Sequence, residues 1–180
     1  MLGYLTMNAS TVDRSKGVTL VELLVVIAIL AISLTIAVPS VQELLRNNRV
    51  ASQNNELVAL ITLAKSQAIR RNEDWQVELI SNGFSWVGNV RPADRTPEAD
   101  EDDGCPERSG VVRCSNFQGV RLTGATTLTF NNRGFLELSP GDWDTVQLGL
   151  DHQGCTGARQ ARQIEVLPTG QISSQAVPCP

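Results

Sequence analysis

Gly17-Val18-Thr19-Leu20-Val21-Glu22 opens the stretch that decides the fold, an apolar run from Val18 to Val38 in which Glu22 is the only ionisable residue. The run holds 21 residues. At about 1.5 Å per residue, a helix of that length reaches roughly 30 Å, the thickness of a bilayer's hydrocarbon core. An acidic side chain inside such a span costs about 2.5–3.5 kcal/mol even on the lenient insertion scale, so Glu22 demands a reason. Arg14 and Lys16 form a short basic flank just before the glycine. A basic flank, a glycine, then an apolar helix with an acid in its second turn make a processing and assembly signal. A secretory signal peptide fits poorly. Its apolar core is about 7–15 residues and ends at a small-x-small site, whereas this run is longer and has no such site before Pro39. An ordinary single-pass anchor explains the length and the flank, but neither Glu22 nor the glycine junction.

This arrangement resembles the class III leader of type IV prepilins and type II secretion pseudopilins. The resemblance implies that a membrane prepilin peptidase cuts after Gly17, that Val18 becomes the N-methylated first residue, and that Glu22 is the acid at the fifth mature position. The family most often has Phe at the first position, and Val18 keeps its apolar character. In that family the acid meets the new amine of a neighbouring subunit, which draws the helix from lipid into the filament core. An ion pair inside one subunit is the alternative. The domain organisation that follows is a leader at 1–17, a membrane and filament-core helix at 18–46, and a globular domain at 47–180.

Charge sets the orientation. With Arg14 and Lys16 before the span, the positive-inside rule keeps the leader cytoplasmic; the resemblance then implies a periplasmic C-terminal part anchored in the bacterial inner membrane. The four cysteines, Cys105, Cys114, Cys155 and Cys179, suit that oxidising compartment. Of the three connectivities, Cys105–Cys114 with Cys155–Cys179 is preferred, because each bridge closes a segment otherwise loosely held. No C-x-x-C is present, which disfavours zinc or thiol redox chemistry. No cofactor and no metal are expected. The chain carries 15 basic and 19 acidic residues, net −4. Loss of the leader with Asp13, Arg14 and Lys16 makes it net −5. Such a chain has no bulk attraction for nucleic acid or anionic lipid.

After the apolar run, Pro39 predicts a helix kink. Leu44 and Leu45, then Leu57, Leu60, Ile61, Ala64 and Ala68, recur at helical spacing to about Asn72 and predict an amphipathic helix. Alternation then predicts strands at Trp75–Ile80, Phe84–Val87, Gly119–Leu122, Thr127–Phe130, Phe135–Leu138, Thr145–Leu150 and Gln163–Leu167. Turns fall at Asn82-Gly83, Asn132-Arg133-Gly134 and Pro140-Gly141-Asp142. The expected fold class is α+β, pilin-like: a long N-terminal helix, half membrane anchor and half amphipathic, packed on antiparallel β-sheet. Arg91–Arg108, with three prolines and Asp100-Glu101-Asp102-Asp103, reads as a solvated loop. Calcium is the alternative there, but the spacing matches no EF-hand loop.

A narrower resemblance, to the FimT/GspH group of minor pilins and pseudopilins, rests on Asn55–Asn72, on Phe130-Asn131-Asn132-Arg133-Gly134 and on Pro168-Thr169-Gly170. It implies a low-abundance subunit that primes filament assembly near the tip, with other minor pilins or pseudopilins and the major pilin as partners. The reading is a FimT-like minor type IV pilin. The alternative is a GspH-like minor pseudopilin of type II secretion. Some members of the group bind double-stranded DNA in natural transformation through Gly-Arg-x-Arg in a C-terminal loop. The comparable stretch is Gly157-Ala158-Arg159-Gln160-Ala161-Arg162, whose arginines are three apart. Arg159, Gln160 and Arg162 are the candidate DNA contacts, with Gln163 a further polar group; the rival reading is a solvated turn. Catalysis is not expected. His152, the only histidine, stands beside Asp151 in an expected exposed turn, without a partnered nucleophile.

Overall fold

The computed structural model describes residues 17–95, 110–124, 126–137 and 144–180. Residues 1–16 of the expected leader, the acidic run Asp100–Asp103, Cys105 and the turn Pro140-Gly141-Asp142 lie outside them. Contacts divide the chain into two compact units, one ending at Val41 and one beginning at Gln42.

One helix, α1, runs Leu20–Arg71 with Pro39 inside it. It ends where Asn72 turns left-handed at φ 55°, a C-terminal cap that asparagine tolerates. Arg70 and Arg71 in its last turn complement the helix dipole. In the second unit the buried face comprises Val50, Leu57, Leu60, Ile61, Ala64 and Ala68, the three-and-four spacing of an amphipathic helix. Leu44 and Leu45, expected in that stripe, are exposed. The buried stripe starts at Val50.

Nine strands follow among the described residues: β1 Trp75–Asn82, β2 Ser85–Pro92, β3 Arg113–Gln118, β4 Val120–Gly124, β5 Thr127–Phe130, β6 Leu136–Glu137, β7 Val146–His152, β8 Ala161–Val166 and β9 Ile172–Val177. They form two antiparallel sheets, β3-β2-β1-β5-β6 and β4-β7-β8-β9. Asn82 pairs with Ser85, so Gly83-Phe84 is a two-residue hairpin loop. The expected loop from Arg91 begins later. Arg91 and Pro92 belong to β2, where Pro92, at the strand end, faces Trp75. Arg91 is buried and pairs with Glu78 at 3.3 Å. β3 and β9 were not expected; both are polar edge strands of their sheets.

The core is one cluster in which Trp75, Trp86, Phe130, Leu57, Leu60 and Ile61 are fully buried. At Gly88 a Cβ would come within 2.6 Å of Leu60 Cδ1, so glycine lets the helix lie close on β2. A buried polar bridge joins helix to sheet. Trp86 Nε1 donates to Gln53 Oε1 at 2.9 Å, and Gln53 Nε2 donates to the Gln118 carbonyl at 2.9 Å. Trp86 also stacks on Phe117 at 4.0 Å. Gln53→Leu strands the buried indole N–H, and an unpaired buried group costs about 1–3 kcal/mol. We expect a loss of about 2 kcal/mol, read as a lower denaturation midpoint followed by tryptophan fluorescence.

The two sheets meet through Ser81 Oγ, which donates to the Leu122 carbonyl at 3.1 Å, and Leu136 N–H, which donates to the Pro168 carbonyl at 2.9 Å. The helix joins them: Lys65 Nζ donates to the Gly170 carbonyl at 2.8 Å. Gly170 has φ 72°, and a Cβ there would collide with the Gly134 carbonyl. The turns around Gly134 and Gly170, far apart in sequence, therefore touch beneath Lys65.

Candidate functional site

The first candidate segment is the start of α1. Gly17, Val18 and Thr19 precede the helix. Thr19 Oγ1 accepts from Glu22 N–H at 3.2 Å, and the Thr19 carbonyl accepts from Leu23 N–H at 3.2 Å. Thr19 is thus the N-cap, and Glu22 sits at the third helical position, where a carboxylate favours the helix dipole. Val18 and the apolar residues after it are exposed; Val18 is 72 % exposed. The window of α1 long and apolar enough to cross a membrane has no buried residue. Such an apolar surface is suited to a non-aqueous surrounding.

The second is the loop between β7 and β8. Cys155 and Cys179 form a disulfide with Cα atoms 5.6 Å apart. It ties the loop to the segment after β9, and Cys179 N–H reinforces it by donating to the Gly157 carbonyl at 3.2 Å. Cys114 is also disulfide-bonded; its expected partner, Cys105, is outside the described residues. Gln160 folds back into the loop. Its Oε1 accepts from Thr156 N–H at 3.3 Å and Gly157 N–H at 3.1 Å, and its Nε2 donates to Glu43. That amide holds the loop to itself and to the helix, so it is not a free polar contact. Arg159 is exposed in the turn, and Arg162 is half-buried on β8. Neither forms an ion pair among the described residues. Strand alternation puts Arg162 on the side of Ile164 and Val166. Gln163 donates to Gln147 at 3.0 Å on the neighbouring strand.

His152 is not in an exposed turn. β7 extends to it, two residues past the expected end, and it is only 4 % exposed. Its Nδ1 lies 3.0 Å from the Gln153 carbonyl, and its Nε2 is buried without a partner. Asp151 is also buried. It accepts from Arg121 Nη2 at 2.7 Å and Nε at 3.2 Å across the β4–β7 pair. That hydrogen bond, with the charge of Asp151, raises the Arg121 guanidinium above its ordinary value. Arg121 also stands 5.7 Å over the Phe84 ring. Alternation could have carried β7 past Leu150, but nothing local marks both faces of its end as covered. Among the described residues no cluster of His, Cys, Asp and Glu is arranged to hold a metal ion.

Comparison with known proteins places residues 53–170 in the family of the type II transport protein GspH. Residues 13–38 match the prokaryotic N-terminal methylation motif. No curated protein matches the chain. Among solved structures, the type IV minor pilin FimU of Pseudomonas aeruginosa aligns at 17 % identity and a TM-score of 0.49, covering 69 % of this chain and 91 % of that one. The minor pseudopilin EpsH from the Type 2 Secretion System of Vibrio cholerae aligns at 12 % identity and a TM-score of 0.49, covering 71 % and 97 %.

Proposed function

The chain belongs to the family of the type II transport protein GspH, and from that premise we propose that it is a FimT-like minor pilin that primes assembly of a type IV pilus. The observation that carries this reading is the methylation motif across the Gly17–Val18 junction, followed by Glu22 in a wholly exposed apolar helix. Prepilin peptidase removes the leader after Gly17 and the Val18 amine is methylated. The helix waits in the inner membrane with the C-terminal domain in the periplasm. Glu22 then meets the Val18 amine of a neighbouring subunit, and the apolar helices of minor and major pilins replace lipid around it. Pro39 supplies a bend in that packing. The domain's role is structural, not enzymatic.

A second reading, a minor pseudopilin of type II secretion, is favoured by the family that the globular domain matches. Deleting the gene separates them. Loss of surface pili with normal secretion of exoproteins supports the pilus; the converse supports the secretion system. DNA uptake extends the first reading. Arg159 is exposed, without an ion pair, on a disulfide-held loop, and guanidinium forks suit phosphates without regard to base sequence. Arg159 on one phosphate gives a log–log salt slope of about −1, and Arg162 steepens it only where it also reaches the backbone. Fluorescence anisotropy with labelled duplex checks it. Arg159→Gln/Arg162→Gln should abolish binding, and binding unchanged in that variant contradicts the assignment.

A further inference from the structure

We propose that a cavity of about 270 Å³ between α1 and the ends of β4 and β7 binds an oxyanion of the phosphate class that carries a proton, such as hydrogen phosphate or a phosphomonoester. Arg46, Arg49, Phe84, Gly119, His152 and Gly154 line it. Arg46 and Arg49 are three apart on α1, so their like charges share one helix face. Neither makes an ion pair among the described residues. The carboxylates best placed to neutralise them are engaged elsewhere. Glu43, one turn earlier, accepts from Gln160, and Asp151 accepts from Arg121. Gly119, at φ 77°, presents bare backbone to Arg49, whose Nη1 a Cβ would approach to 2.5 Å.

His152 sets the chemistry. A carbonyl only accepts, so Nδ1, 3.0 Å from the Gln153 oxygen, carries the proton. In the neutral ring Nε2 is then a bare acceptor, buried without a partner. A buried unpaired acceptor is unfavourable and calls for a donor. A hydrogen-bearing phosphate answers every group in this wall. Its charged oxygens take the guanidinium forks, and its hydroxyl donates to Nε2. With a second pKa near 6, a phosphomonoester still carries that proton in part at neutral pH. Sulfate offers the charge without the hydroxyl.

His152 is the only histidine, so its ring is a single reporter in the whole chain. The full-length protein in neutral detergent, labelled with ¹³C-histidine, would be titrated by NMR with inorganic phosphate, with sulfate, and in a separate arm with phosphatidic acid doped into the micelle. A saturable ring shift with inorganic phosphate assigns the site to free phosphate. A shift with phosphatidic acid alone assigns it to a lipid headgroup. In either case sulfate binds more weakly, and Arg46→Gln/Arg49→Gln weakens binding about tenfold or more, with Arg46→Gln alone intermediate. Near-UV circular dichroism shows that the variants are folded. No saturable shift in either arm, equal response to sulfate, or unchanged affinity in the folded double variant overturns the proposal.

Discussion

Glu22→Val leaves the chain anchored in the membrane and correctly cleaved, but removes it from filaments. The substitution takes an acid out of an apolar run and makes insertion easier by about 2.5–3.5 kcal/mol. It also leaves the helix start intact, because the bond to Thr19 Oγ1 is donated by the Glu22 backbone N–H, not its side chain. On the assembly proposed above, what is lost is the partner of the Val18 ammonium of the next subunit. Removing one member of a buried ion pair costs about 3–5 kcal/mol, and incorporation should fall by about a hundredfold or more. Immunoblots of sheared filaments against the membrane fraction check it. Wild-type amounts of the variant in filaments would mean that the carboxylate has no part in assembly.

Cys155→Ser/Cys179→Ser gives the largest expected loss of domain stability. The bridge spans 24 residues and encloses β8 and β9. On the chain-entropy account a loop of that size is worth about 3–4 kcal/mol. β9 is an edge strand with three of its residues exposed, so it has little apolar burial to hold it once the tie is cut. The melting temperature of the full chain in neutral detergent should drop by about 10 °C. Hydrogen exchange should speed first in Ile172–Val177 and around Gln160, whose loop the disulfide closes. A drop below about 3 °C would show that strand pairing alone holds this end.

How much was legible beforehand follows from the range of each interaction. The Val18–Val38 run was readable because lipid and helix packing act on every residue of a span alike. Leu57, Leu60, Ile61, Ala64 and Ala68 were readable from helical period. Leu44 and Leu45 carry the same period but are exposed, and period does not reveal what a face meets. β1 and β7 alternate strongly, whereas Arg-Cys-Ser-Asn-Phe-Gln and Ile-Ser-Ser-Gln-Ala-Val form strands only because a neighbour offers its edge. The division into two sheets depends on β1 choosing β5 and β4 choosing β7, choices made across tens of residues. The burial of His152 has the same origin: its cover comes from segments remote in sequence. Arg46 and Arg49 carry no local signal of their own; the turns at Gly119 and Gly154 place the cavity beside them.

The most direct test of the account is the intact mass of the chain purified from membranes of cells with and without prepilin peptidase. The prediction is a chain beginning at Val18 and carrying one N-terminal methyl group when the peptidase is present, and one with its leader still attached when it is absent. A chain that keeps its leader in the presence of the peptidase, or that is cut beyond Val38, would contradict the assignment of Gly17, Val18 and Glu22 to filament assembly.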